Sequence, residues 1–484
     1  MKKILLFMST AVFFGIIGCK KFEDFQTDPN KTTQATPDLL LPTIVQAAFN
    51  EVSTEAALAS RQLVYTDGVS NQQYYGWQRG SFNDYNHLRQ VARMQAEAQR
   101  TGKPLYAALA KFFKAYFGLR LTLTFGDVPY SQALKGDEGI YTSAYDGQET
   151  IFASILTDLE EANAALAAGN ESLQGDIVYN GDVQKWRKLV NTFTLRVLML
   201  LSKKEANASL RVKERFAAMV NNPSQYPVFT SNIDNAKLTF YDIQGNHYPY
   251  FNNNAIQTAY YMEESFVTRL QNLQDPRLFR FAAKAPKHAS LPETDFAAYG
   301  GVKGSATISE NTTRVVAGEA SKIHARYYNS AVNEPSAAVS FAELQFILAE
   351  AVLRGWISGN AENYYKNGIR ASMEFYGIDA AAIHTYLQQP AVQLTVDNNL
   401  EAVLTQKHIA SFMQNGWLSF YEQRRTGFPH FDITGGGVLN NGKIPLRWMY
   451  PETEMQLNRE NVSAAISRQF AQGDDVNGVM WLLK

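Results

Sequence analysis

Apolar positions in this chain recur mostly at helical spacing. Leu105, Leu109, Phe112, Phe113 and Tyr116 follow Pro104, a residue suited to a first helical turn, and predict a helix that stops before Gly126-Asp127-Val128-Pro129. Ile151, Phe152, Ile155, Leu159, Ala162 and Leu166 form a second stripe, ended by Gly169-Asn170. Trp186, Leu189, Val190, Phe193, Val197 and Leu200 form a third, with Asp182 as its N-cap. Residues 38–66 read as one long helical segment with few breakers, and 83–100 as another. Residues 221–340 differ: prolines are scattered through them, Asn, Gly and Ser are frequent, and the periodicity breaks up. Short strands and one or two helices (around 257–273) are predicted there. Helical stripes resume at Phe341, Leu344, Leu348, Ala351 and Val352, then over 361–376 and roughly 399–420. From Gly435 the tail is again loop-rich, with Gly435-Gly436-Gly437 as a flexible break.

The fold class that follows is mostly α. Helix–turn–helix pairs of a length that resembles tetratricopeptide stacking form a scaffold, and a loop-rich, irregular region carries short strands. No clean repeat of ~34 residues is present, so the pairing rests on helix length and order.

One apolar run is not helical scaffold. Lys2 and Lys3 lead into Ile4–Ile17, and Gly18-Cys19 follows. A basic start, a short apolar core and a small residue before a cleavage point make a secretory signal peptide over 1–18. The run has 14 residues, too short for a span of about 20. Cys19 is the only cysteine, so it has no disulfide partner in the chain. Its position resembles a bacterial lipobox, in which the signal is cut before the cysteine and the thiol carries a diacylglycerol. Residues 19–37, polar and with two prolines, then read as a lipid-anchored tether, and 38–484 as the folded domain. Within that domain, 38–220 and 341–430 are mainly helical, and 221–340 and 431–484 are loop-rich. Glu23-Asp24 behind Cys19 resembles the surface-export signals of Bacteroidetes-type lipoproteins.

Bulk composition narrows the function. An apolar share of 45% and a charged share of 19% suit a globular domain with a sizeable core. A net charge of −1 and the absence of a basic tract argue against nucleic-acid binding. Catalytic motifs are absent: there is no H-E-x-x-H, G-x-S-x-G, Walker A loop or G-x-G-x-x-G. The histidines (His87, His247, His288, His324, His384, His408 and His430) lie far apart, so neither a metal site nor a cofactor site is predicted. Acidic doublets such as Glu160-Glu161 point to different sides of a helix and read as solvated faces.

Two stretches put aromatics among amides. One is Asn71 to Asn83, with Asn71, Tyr74, Tyr75, Trp77 and Arg79. The other is Gly245 to Asn254, with Tyr248, Tyr250 and Asn252. A ring face in a wet loop costs solvation unless something covers it. A pyranose can stack its CH face on the ring while amides and a guanidinium bond its hydroxyls. The competing reading is that these rings plug seams between helices, which is the common fate of large aromatics.

Several motifs then fall in order. Phe125-Gly126-Asp127-Val128-Pro129-Tyr130 resembles the GDVPY element of the SusD/RagB-like lipoproteins of Bacteroidetes. Ala349-Glu350 with Arg354 resembles their A-E-x-x-x-R helix. Asn415-Gly416-Trp417 through Gln423-Arg424-Arg425-Thr426-Gly427 is similar to their E-G-x-R-W-x-D-L-R-R stretch. Tyr450-Pro451-Glu452-Thr453-Glu454, ending in Asn458, is similar to their closing I-P-x-x-E-x-x-x-N. The departures mark a divergent branch: Asn415 replaces the usual glutamate, the span to the double arginine is one residue longer, and Trp417 stands early. The arginines have a structural reading as well. Arg424 and Arg425 are expected to pair with buried carboxylates such as Glu350 or Glu422, because a guanidinium fork suits bidentate pairing.

The resemblance implies a non-catalytic lipoprotein on the outer membrane, facing the cell exterior. It implies a partner, a SusC-like TonB-dependent barrel transporter, to which captured oligosaccharide is delivered. The same architecture could capture peptides instead. A helical surface glycoside hydrolase is the enzymatic alternative, and would need two carboxylates facing each other across about 5–10 Å.

Overall fold

The computed structural model describes residues 35–169, 171–397 and 399–484. The signal peptide, Cys19 and nearly all of the tether lie outside the described residues. The elements that position the site are α1 (Pro37–Phe49), α2 (Asp84–Arg100), α3 (Pro104–Phe125), α4 (Gln148–Ala168), α5 (Val183–Leu200) and α6 (Val212–Asn221). They continue with α7 (Glu264–Asn272), α8 (Phe341–Leu353), α9 (Ala361–Phe375), α10 (Asn399–Ala410), α11 (Leu418–Thr426) and α12 (Arg459–Gln469). Each of α2 to α6 packs on its predecessor, α8 docks on α5, and α9 and α10 pack on α8. The result is the mostly helical scaffold expected from the apolar stripes.

Two small antiparallel sheets tie the irregular region to this scaffold. β1 (Leu63–Tyr65) pairs with β3 (Tyr260–Met262), with Leu63 opposite Met262 and Tyr65 opposite Tyr260. β2 (Ala236–Leu238) pairs with β4 (Ser336–Val339).

Local capping sets most helix starts. Asp182 accepts from the amides of Gln184 and Lys185 at 2.9 and 3.1 Å, as expected of an N-cap. Ser340 caps α8 through the Glu343 amide at 3.2 Å, and Asn360 caps α9 through the Asn363 amide at 3.1 Å. Capping also breaks the segment read as one helix over 38–66. α1 ends at Phe49, and Ser53 accepts from the Ala56 amide at 3.2 Å to start a separate short helix, Thr54–Ala59, before β1. The 399–420 stripe is likewise two helices, α10 and α11, parted by Met413 and Asn415 at positive φ. Around 257–273, helix Asn254–Ala259 runs into β3 before α7 begins.

The tail holds more structure than its composition suggests, with helices Glu452–Leu457 and α12. Its triple glycine is a close approach rather than a flexible break. A β-carbon on Gly437 would lie 2.4 Å from the Tyr74 ring, and one on Gly435 2.2 Å from the Ser305 carbonyl oxygen.

The ordered motifs form buried scaffolding. Arg425 grips Glu350 through two bonds of 2.7 and 2.8 Å and also reaches Glu422, while Lys407 bonds Glu422 at 2.9 Å and Arg354 bonds Glu350 at 2.8 Å. Burial alone would raise the Glu422 pKa, but Arg425 and Lys407 overcome it and hold the carboxylate at about 2. Arg424 does not follow the expected pairing. It donates to the carbonyls of Leu446 and Leu123 at 2.6 and 2.9 Å, and burial without a carboxylate pulls its pKa down to about 10. Asp127 of the GDVPY element stands just past the end of α3. It accepts from the Gln148 amide at 2.9 Å, so it fixes the start of α4, and it pairs with Arg468 of α12.

Candidate functional site

A cleft of about 390 Å³ opens between the helical scaffold and the C-terminal segment. Its walls are Asp84 at the start of α2, Tyr116 and Arg120 on α3, Glu51 and Glu55 around the short helix 54–59, Trp417 and Tyr421 of α11 and its approach, and Trp448. Trp417 and Trp448 are half-buried, with ring centroids 4.7 Å apart at 89°. They form an apolar corner of two planes, a shape that suits the CH face of a ring-shaped ligand.

The polar wall opposite is partly engaged. Glu51 accepts from the Tyr116 hydroxyl at 2.5 Å and faces Arg120 at 3.5 Å, and Arg120 also pairs with Asp84 at 3.2 Å. Burial works against the Arg120 charge, but Glu51 and Asp84 outweigh it and raise its pKa. Asp84 itself is raised, by burial first, with Arg120 opposing. Glu55 is exposed and has no hydrogen bond or ion pair among the described residues. The Asn415 side-chain oxygen is buried without a partner.

Local backbone explains how Trp417 reaches this place. Asn415 and Gly416 both have positive φ, 62° and 52°, and the Gly416 amide donates to the Glu51 carbonyl at 3.0 Å. A β-carbon on Gly416 would meet Glu51 Oε2 at 2.0 Å. The turn that carries the unusual Asn-Gly-Trp order thus folds against the cleft and presents the early tryptophan to it.

The residues singled out in the sequence divide sharply. Trp77 is 4% exposed, not a wet-loop ring. The backbone of Gln78 to Gly80 pairs with Met449, and the Trp77 indole N–H donates to the Arg447 carbonyl at 3.1 Å. Its ring stacks on Trp448 at 4.6 Å and 9°, so it backs the tryptophan that lines the cleft. Tyr75 is fully buried, donates to the Ala59 carbonyl at 3.0 Å and lies under the Arg61 guanidinium, and burial pushes its pKa up to about 12. Tyr74 is buried beneath the 437–439 loop, and Tyr248 is buried among Phe240, Tyr250 and Tyr327. For these four rings the seam-filling alternative describes the geometry.

The others are more open. Arg79 is exposed but clamped, to Glu452 at 2.9 Å and Asp474 at 3.1 Å, and it donates to the Tyr450 carbonyl at 2.7 Å. Asn71 is exposed at the start of the short helix Asn71–Tyr74. Asn252 is exposed at φ 57°, its amide bonded to the Tyr328 carbonyl at 2.8 Å. Tyr250 is half-buried and accepts from the Thr54 amide at 2.8 Å, one residue from Glu55. The two aromatic stretches therefore meet on one short helix: Tyr75 bonds its C-terminal end and Tyr250 its N-terminal end. Of the 71–83 stretch itself, Gln72, Gly80, Ser81 and Asn83 reach the cleft.

Sequence reasoning missed Trp448, Arg120, Asp84 and Glu55, and it placed Trp417 within a fold motif. The available signal was the run Leu446-Arg447-Trp448-Met449-Tyr450, aromatic-rich in a loop-rich tail, as in the two stretches that were singled out. A second hollow, about 420 Å³, lies between α2, α3 and residues 129–135. Its one ring is the buried Tyr130, so it offers a sugar no exposed ring face. Among the described residues, no group of three or more His, Cys, Asp or Glu could hold a metal ion, and no helix is long and apolar enough to cross a membrane.

Comparison with known proteins agrees with this architecture. Residues 29–451 match the SusD-like family described as starch-binding, associating with the outer membrane. A SusD homologue from Bacteroides fragilis NCTC 9343 is 41% identical, with a TM-score of 0.86 over 93% of this chain and 100% of its own. A second homologue from the same strain is 33% identical at a TM-score of 0.87, with the same coverage of both chains. A structure named as a chitin-binding protein is 27% identical at a TM-score of 0.75, over 93% of this chain and 100% of its own. No curated protein matches the chain.

Proposed function

The chain belongs to the SusD-like family of outer-membrane-associated binding proteins, and on that premise we propose that it captures oligosaccharides at the cell surface in the Trp417–Trp448 cleft. The observation that carries this reading is the pair of half-buried indoles at right angles, in a cleft also lined by three carboxylates and two arginines. Sugar recognition needs both: a ring face for the CH groups and hydrogen-bonding groups for the hydroxyls. Trp77 and Tyr75 serve this site from behind, by holding Trp448 and the helix that carries Glu55. Tyr250 supports the same helix through the Thr54 amide, whereas Asn71, Arg79 and Asn252 do not line the cleft. The 27% identity to a chitin-binding protein favours a glycan cargo.

The protein acts without catalysis and passes its ligand to a SusC-like TonB-dependent barrel in the outer membrane. Cys19 carries the lipid that holds it there, and residues 20–37 supply the reach. Cys19→Ala should move the protein from the membrane to the soluble fraction; unchanged partitioning would refute the anchor.

Isothermal titration against a panel of oligosaccharides and mixed peptides tests the ligand class. Binding of one or more glycans is expected, with no product released on long incubation. Binding of peptides alone would replace the sugar assignment, and product release would replace the non-catalytic one.

A further inference from the structure

Resting on the oligosaccharide reading of the cleft, we propose that it selects sugars bearing a free ammonium group, hexosamine units, over neutral and acidic sugars.

The cleft holds more negative charge than positive charge free to meet a ligand. Three carboxylates line it: Glu51, Glu55 and Asp84. Two guanidiniums do so as well, but both are committed. Arg196 is buried, donates to Glu343 at 2.7 Å through Nε and to the Ala338 carbonyl at 2.7 Å through Nη2. Arg120 is shared between Glu51 and Asp84. An anionic sugar would need an uncommitted guanidinium for charge-assisted bonding. It would find one whose charge is already balanced, beside a carboxylate that is not.

Of the charged groups that line the cleft, the one left without an ion pair or side-chain hydrogen bond among the described residues is a carboxylate, the exposed Glu55. An ammonium supplies three N–H donors and a positive charge together. The indole faces of Trp417 and Trp448 add attraction for a cation placed over them. An N-acetyl group in the same position keeps one N–H but loses the charge, so it forfeits both the Glu55 and the indole terms. A uronate adds a charge of the wrong sign.

Titration of the full-length protein with glucosamine oligomers, N-acetylglucosamine oligomers of the same length and linkage, and uronic-acid oligomers tests this. It is run at mildly acidic pH, where the amine carries its proton. The amine form should bind about tenfold more tightly than the acetylated form, with the gap shrinking as salt is added. The uronate should bind most weakly. Glu55→Gln should narrow the gap between amine and acetylated forms to about twofold. Equal affinity for the two forms, tighter binding of the uronate, or a gap untouched by Glu55→Gln would overturn the charge selectivity while leaving sugar capture standing. Failure of all three oligomers while another glycan of the panel binds would overturn the selectivity alone, and failure of every glycan in the panel would overturn sugar capture and the selectivity with it.

Discussion

α11 and its approach feed two regions of opposite character. At one end Trp417, Leu418 and Tyr421 face the cleft; one turn further on, Glu422 and Arg425 enter a sealed ionic network with Glu350 and Lys407. In the network every charge has an opposite partner at bonding distance and all four side chains are buried. In the cleft the rings are half-covered, and Glu55 is exposed and unpaired among the described residues. A buried charge left without its partner is expensive, whereas a partly solvated one is cheap to leave open. The network therefore belongs to folding, and the cleft can afford to keep groups free for a ligand.

The contrast can be broken most forcefully at the network. Arg425→Leu leaves Glu350 and Glu422 buried without their guanidinium, and should cost about 3–5 kcal/mol of unfolding free energy in urea. A loss under about 1 kcal/mol would show that solvent reaches this region after all.

Trp77 tests the border between the two regions. As a buried ring stacked on Trp448 it should behave like core, and Trp77→Ala should cost about 3–5 kcal/mol in the same assay. Unchanged stability with weakened binding would return Trp77 to the ligand site proper.

Trp448→Ala sharpens the cleft side. It should weaken oligosaccharide binding by about 2 kcal/mol, roughly thirtyfold, with a smaller loss of stability than Trp77→Ala. Intact binding would move the site elsewhere.

Acid gives the most graded test. The Glu422 pKa is lowered in the fold, so its pairing contributes stability that is full above the ordinary glutamate pKa and is lost as pH falls through about 2. The stability gap between the wild type and Glu422→Gln should thus be constant near neutrality and shrink on acidification from about pH 5 downward. A gap that widens in acid would contradict the assigned sign.

Much of this division was legible in sequence, though unevenly. The stripes of α3, α4 and α5 are long and regular, so their helices were readable from spacing alone. The short motifs were readable because each fixes a backbone event, as Asp127 does at the start of α4. The aromatics were not. Whether Trp77 is wet or dry depends on residues 447–450, some 370 positions away, pairing with 77–80. Local composition around Asn71–Asn83 reads polar and open, and that long-range pairing closes it. The same pairing places Trp448 at the site, and the aromatic-rich run 446–450 around it marks the residue without showing which face it lines. Arg424 was misread for a related reason: neighbouring arginines on one helix point to different surroundings, and only Arg425 meets carboxylates.

A crystal structure with a bound oligosaccharide tests the central claim most directly. The account predicts a sugar ring against Trp417 and Trp448, with polar groups near Glu55 and Asn415. Sugar bound away from that corner, such as in the hollow between α2 and α3, would contradict it.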